Sequence, residues 1–204
     1  TTIAETRAIR ASQNNLLSIG SEGTGNAFMG AMDRARVHKA ALTPEQLDSV
    51  ANAPKPVYDT TVVAYDFNET TLPFQSAKTP ARPLISYHGT YLPETSRPTW
   101  STDSPSGKAS DFSVQFAAGQ RAIIPDPAAA LTLDPNDTSF TIQAWVKFAT
   151  QPGARSVLFF NNGPGGALSF SVTTDRRVFV TTLGIVDQPS NAFIPNDGGW
   201  HHIA

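Results

Sequence analysis

Apolar and polar positions alternate with a period of two over much of the chain, the pattern of half-buried β-strands. It is cleanest from Phe140, where Phe140, Ile142, Ala144 and Val146 define one face of a strand and Trp145 lies on the other. Phe112, Val114 and Phe116 alternate in the same way, and short strands are predicted at Arg121 to Ile124, Ser156 to Phe160, Ala167 to Thr173 and Arg177 to Thr182. Turn-forming residues separate them, notably Asn161-Asn162-Gly163-Pro164-Gly165-Gly166 and Asp175-Arg176. Upstream, Val63, Tyr65 and Phe67 share one face of a strand over 62 to 67. Apolar stretches broken by Gly-rich turns between Ile9 and Met32 predict two or three more strands. In Asp33-Arg34-Ala35-Arg36-Val37 the alternation predicts a strand with Val37 on one face and charge on the other.

One segment reads as helix. Thr43 is a good N-cap, Pro44 suits the first helical position and Gln46 closes a capping box, which predicts about two turns ending near Val50. Ala53-Pro54-Lys55-Pro56 stops it, because proline lacks an amide hydrogen and biases its predecessor away from helical geometry. From Asn68 to Pro105 the periodicity fades and prolines recur at 73, 80, 83, 93, 98 and 105, so an irregular loop is expected there. The predicted class is all-β, a sandwich with one short helix near 43–50.

Composition narrows the function classes. At 204 residues and 40% hydrophobic, the chain is long enough to bury a core. Its 15 Lys and Arg are scattered and the formal charge is −2, which argues against a nucleic-acid partner. There is no cysteine, so a disulfide framework, a thiolate metal site and a Cys nucleophile are excluded. No apolar run approaches the roughly 18 residues a membrane helix needs, and Thr1 to Arg10 carry no signal-peptide pattern. Both ends read as cuts through structure.

Ser139-Phe140-Thr141-Ile142-Gln143-Ala144-Trp145-Val146, together with Gly199-Trp200-His201-His202-Ile203-Ala204, resembles the laminin-G-like family of concanavalin-A-like jelly rolls. Val63 to Glu69, His88-Gly89-Thr90, Pro98-Thr99-Trp100 and Gly107 to Phe116 are similar to the family's earlier segments. Residues 57–204 therefore look like the first two-thirds of such a domain. Leu17-Ser18-Ile19-Gly20, Phe28 to Val37 and Ala41 to Leu47 resemble its closing strands and final helix. The order is tail, then head. Residues 1–53 read as the end of one module, 54–61 as a linker and 62–204 as the start of the next, or else the whole folds as one permuted sandwich. A strand that the family usually ends in Tyr-Val-Asp-Gly is missing from the chain.

The resemblance implies an extracellular or cell-surface protein, and the residues point to binding rather than catalysis. A glycosidase needs two carboxylates about 5 to 10 Å apart. The Glu residues at 5, 22, 45, 69 and 94 have no acidic neighbour two or four positions away, and Asp66 and Glu69 point to opposite faces of a strand. His38, His88, His201 and His202 sit in structural contexts, and adjacent imidazoles on a strand do not readily share an ion. Trp145 and Trp200 read as core and sheet-face residues, and Asp33 as a structural carboxylate. Calcium, which several family members bind at the sandwich rim, is expected at Asp66, Asn68, Asp111 and Asp126. Tyr87, Tyr91 and Trp100 offer aromatic faces on which a sugar could stack. The expected function is a non-catalytic adhesion module for carbohydrate or a surface protein. The alternatives are a self-associating structural repeat completed by strand complementation, and an accessory domain of a glycosidase.

Overall fold

A computed structural model describes residues 16–22, 26–52, 60–69, 85–87, 98–123, 139–163, 166–182 and 186–204. The alternating segments become strands β1 (Leu16–Ile19), β2 (Gly30–His38), β3 (Thr61–Tyr65), β4 (Ile85–Tyr87), β5 (Thr99–Ser101), β6 (Ser113–Phe116) and β7 (Arg121–Ile123). After these come β8 (Thr141–Phe148), β9 (Ser156–Gly163), β10 (Gly166–Val172), β11 (Arg177–Thr182), β12 (Val186–Phe193) and β13 (His201–Ile203), and the helix α1 spans Pro44–Asn52.

The strands form two antiparallel sheets, and the fold is an all-β sandwich. One sheet runs β12-β11-β10-β9-β1-β7-β4. The other runs β13-β8-β2-β6-β5, and β3 also pairs with β2. One side of β2 is shared end to end: Gly30 to Met32 pair with β6, and Ala35 to His38 pair with β3. Its other side pairs with β8. Strand β1 lies between β9 and β7. Residues 16–52 thus supply an interior strand to each sheet.

Period-two alternation places Met32, Val114, Phe116 and Val146 of one sheet against Ile19, Leu158, Phe170 and Val172 of the other. Phe28 closes one end, meeting Phe116 and Phe148 edge-on with ring centroids 6.1 and 5.4 Å apart. Each such side chain contributes roughly 1.5–3 kcal/mol by leaving water.

Strands the sequence left out have a common cause. β12 contains Pro189, which cannot donate to a ladder and is tolerated because β12 is an edge strand. β4 and β5 are three residues each and lie within the proline-rich stretch expected to be irregular, too short for a period to show.

Strand β2 departs most from its expected form, because all nine of its residues are buried. Met32, Ala35 and Val37 face the core, so the inward phase slips by one residue between 32 and 35. The slip is a bulge: the register with β8 shifts between Asp33 and Arg36, and Arg34 adopts a left-handed φ of 48°. Both Arg34 and Arg36 therefore leave the core-facing side.

There they meet α1. The helix begins as its capping box predicts, with the Gln46 amide donating to Thr43 Oγ1 at 3.3 Å and the Thr43 amide donating to Gln46 Oε1 at 2.9 Å. Its C-terminus has no basic residue of its own. Instead Arg36 Nη1 donates to the Val50 carbonyl at 2.5 Å and Arg34 Nη1 to the Ala51 carbonyl at 3.3 Å. Trp145 Nε1 also donates to Ala51, at 2.8 Å. Cationic donors at the negative end of a helix satisfy carbonyls that would otherwise lack partners. On their other sides Arg36 pairs with Asp66 and Arg34 with Asp111, each at 2.8 Å.

Removing one partner of a buried pair strands the other. Arg36→Ala should lower unfolding stability by about 3–5 kcal/mol in urea titration. Adding Asp66→Ala to it should cost much less than the sum of the two single changes, a result that equal and additive losses would contradict.

Candidate functional site

The outer face of the six-stranded sheet has two halves. α1 covers one, where the buried groups are polar. Thr61 Oγ1 lies 3.0 Å from His38 Nδ1, His38 Nε2 lies 2.9 Å from Gln143 Nε2, and Gln143 Oε1 lies 2.9 Å from His202 Nε2. This ladder crosses β3, β2, β8 and β13 in turn. Its geometry assigns protons: the Gln143 amide donates to His38, so His38 carries its hydrogen on Nδ1, and His202 donates from Nε2 to Gln143. Both imidazoles are neutral, since burial, reinforced by Arg36, lowers each from the usual 6.5 to about 4. The His202 ring also lies 5.5 Å from that of Trp145.

Asp33 lies in the same layer. Its Oδ1 accepts from the Arg34 amide at 2.7 Å, and its buried Oδ2, 3.6 Å from Arg34 Nε, has no hydrogen-bond partner among the described residues. Burial pushes its carboxyl up to about 8, against the pull of Arg34 and with the repulsion of Asp111 and Asp66.

The other half of the face is open. Ala31 is the register partner of both Gln115 and Lys147, and Gln115 is in turn the partner of Thr99. Because Ala31 is small, its two taller neighbours leave a cleft of about 70 Å³ between them. Gly30 narrows one end: a Cβ there would lie 2.2 Å from the Lys147 carbonyl oxygen, so only glycine lets β2 come this close to β8. Asp103 forms the wall. It pairs with Lys147 Nζ at 2.6 Å and accepts from Trp200 Nε1 at 2.9 Å. Those two donors hold its carboxyl below the usual range. Asp103, Lys147 and Trp200 remain partly in water, unlike the layer under α1.

The residues singled out from sequence are dispersed. Asp66 and Asp111, expected at calcium, are ion-paired to Arg36 and Arg34, which supply positive charge at those carboxylates. Asn68 Oδ1 accepts from the Phe112 amide at 2.7 Å. Asp126 and Tyr91 lie outside the described residues, as does the expected linker up to residue 59. Tyr87 lies on β4, in the opposite sheet from Trp100 on β5. Trp100 packs half-buried against the core. Among the described residues no three His, Asp or Glu side chains converge as metal ligands. His201 and His202 separate as adjacent strand residues should, His201 reaching Asp197 at 2.8 Å and His202 reaching Gln143.

Sequence reading missed Asp103 and assigned Trp200 to the sheet. They are 97 positions apart, and nothing local signals that they meet. The chain matches no family model, no curated protein and no solved structure.

The two lowered histidines bind protons more readily in the unfolded chain, so the stability they confer is full above pH 6.5 and drains away as pH falls towards about 4. For His38 the loss is on the order of 3 kcal/mol. Asp33 acts in the opposite sense, its contribution declining as pH rises from 3.8 to about 8. Denaturant titrations at several pH values should therefore show stability rising from pH 4 to 6.5, and rising more steeply in Asp33→Asn. Parallel pH profiles for the two proteins would mean that Asp33 is ionised in the fold.

Proposed function

We propose that this chain is a non-catalytic binding module whose ligand is carbohydrate, held at the open half of the six-stranded sheet. The observation that carries the reading is the Trp200–Asp103–Lys147 group beside the Ala31 floor. A sugar hydroxyl both donates and accepts, and the cleft presents a carboxylate acceptor, an ammonium donor and the Gln115 amide, which does both. The Trp200 indole adds an apolar surface whose polar end is already tied to Asp103, so little rotamer freedom is lost on binding. A cleft of this size takes the edge of one ring, consistent with weak single-site binding strengthened by multiple copies. The laminin-G-like resemblance supports the same reading and an extracellular or cell-surface setting.

The test is a glycan array followed by calorimetry on the best hit, with Trp200→Ala and Gln115→Ala alongside. Each change should weaken binding about tenfold, equivalent to ~1.4 kcal/mol, while the circular dichroism spectrum is unchanged. An array without hits on folded protein would remove carbohydrate as the ligand. Capture of a surface protein insensitive to both substitutions would remove the cleft as the site.

A further inference from the structure

We propose that residues 16–52 exchange between two copies of this chain, each copy donating β1, β2 and α1 to the sheets of the other. The inference goes beyond ligand binding and rests on connectivity.

The segment is held together internally. Arg34 and Arg36 of β2 bind the Ala51 and Val50 carbonyls of α1, so β2 and α1 are stapled to each other within the segment. Its bonds to the rest are numerous and complementary. Asp66 and Asp111 receive the two arginines, Thr141 Oγ1 receives the Leu42 amide, and Ser139 Oγ receives the Ala41 amide. Strands β9 and β7 flank β1, while β8 lies on one side of β2 and β6 and β3 share the other. Withdrawing the segment would expose edges on five strands, β3, β6, β7, β8 and β9, shaped to take back this same segment. Exposed edges of that length seek a partner, and the best fit is an identical segment.

Every contact of the segment is reproduced when it docks in a second copy. The balance between the closed and exchanged forms then depends on concentration and on the connection to β3. That connection, residues 53–59, carries Pro54 and Pro56, which restrict how tightly it can turn. Fully extended, seven residues reach at most about 25 Å. In the exchanged form Gly30 and Ala31 come from one chain while Gln115, Lys147 and Asp103 come from the other, so each cleft becomes a two-chain site.

The absence of cysteine provides a clean test. Ser18 and Ile123 are register partners across the β1–β7 pair, in the sheet that does not carry the cleft. In a Ser18→Cys, Ile123→Cys variant the disulfide is internal when the segment stays home and intermolecular when it exchanges. After refolding over a range of concentrations and oxidation, non-reducing electrophoresis should show a band of twice the chain mass. That band should grow with concentration, disappear on reduction and be missing from either single variant. Only monomer-mass product at every concentration would overturn the proposal.

Should the variant fail to fold, native mass spectrometry of ¹⁵N-labelled and unlabelled wild-type chains decides. Exchange predicts dimers that mix isotopes only after unfolding and refolding. Monomers throughout, or dimers that mix within minutes in native buffer, would overturn it.

Discussion

The interaction on which the rest depends is the pair of buried guanidinium groups on β2. Arg34 and Arg36 lie 8% and 1% exposed between two carboxylates and the carbonyl end of a helix. A buried cation is costly unless its donors and its charge are both satisfied. Here Asp66 and Asp111 answer the charge, and Val50 and Ala51 take up donors. The arrangement depends on the bulge at Arg34, since an unbroken strand with Met32 inward would point both arginines into the apolar core.

From that clamp the two halves of the outer face follow. Once the arginines fix the C-terminus of α1, the helix shields His38, Gln143, Asp33 and part of Trp145 from water. The remainder of the sheet, from Thr99 to Lys147, stays open, and there Asp103 and Lys147 keep contact with solvent. Covered and open halves share strands β2 and β8, so rigidity in one supports pre-organised geometry in the other.

The same clamp makes residues 30–52 a unit within the fold, and the ion pairs that seat it are the ones that make the layer beneath α1 sensitive to protonation. Neutral histidines lie within the field of Arg36, and a poorly satisfied Asp33 lies beside Arg34. Stability, seating of the segment and the shape of the cleft are therefore coupled through one strand. A third buried guanidinium repeats the device at the far end of β8, where Arg176 donates to the Ile194 and Pro195 carbonyls while its charge lies 4.9 Å from the Phe148 ring centroid.

By itself the sequence determined what depends on near neighbours. The capping box at Thr43–Gln46, the inward face of β8 and the division into strands over 141–182 are local matters of dihedral preference and side-chain period, and each appears in the structure. Tertiary structure alone decided what depends on distant pairs. The phase slip in β2 is invisible in a five-residue alternation because it takes the partner strand β8 to define it. From the sequence no strand is predicted at β12, where Pro189 is tolerated because the strand lies at the sheet edge. Asp66 and Asp111, read as calcium ligands, lie against arginines because of the bulge, and Asp103 meets Trp200 only because β13 and the loop after β5 reach the same side of one sheet. Local chemistry sets periods and caps, whereas a site is a set of distances between residues that the chain brings together only when the sheets close.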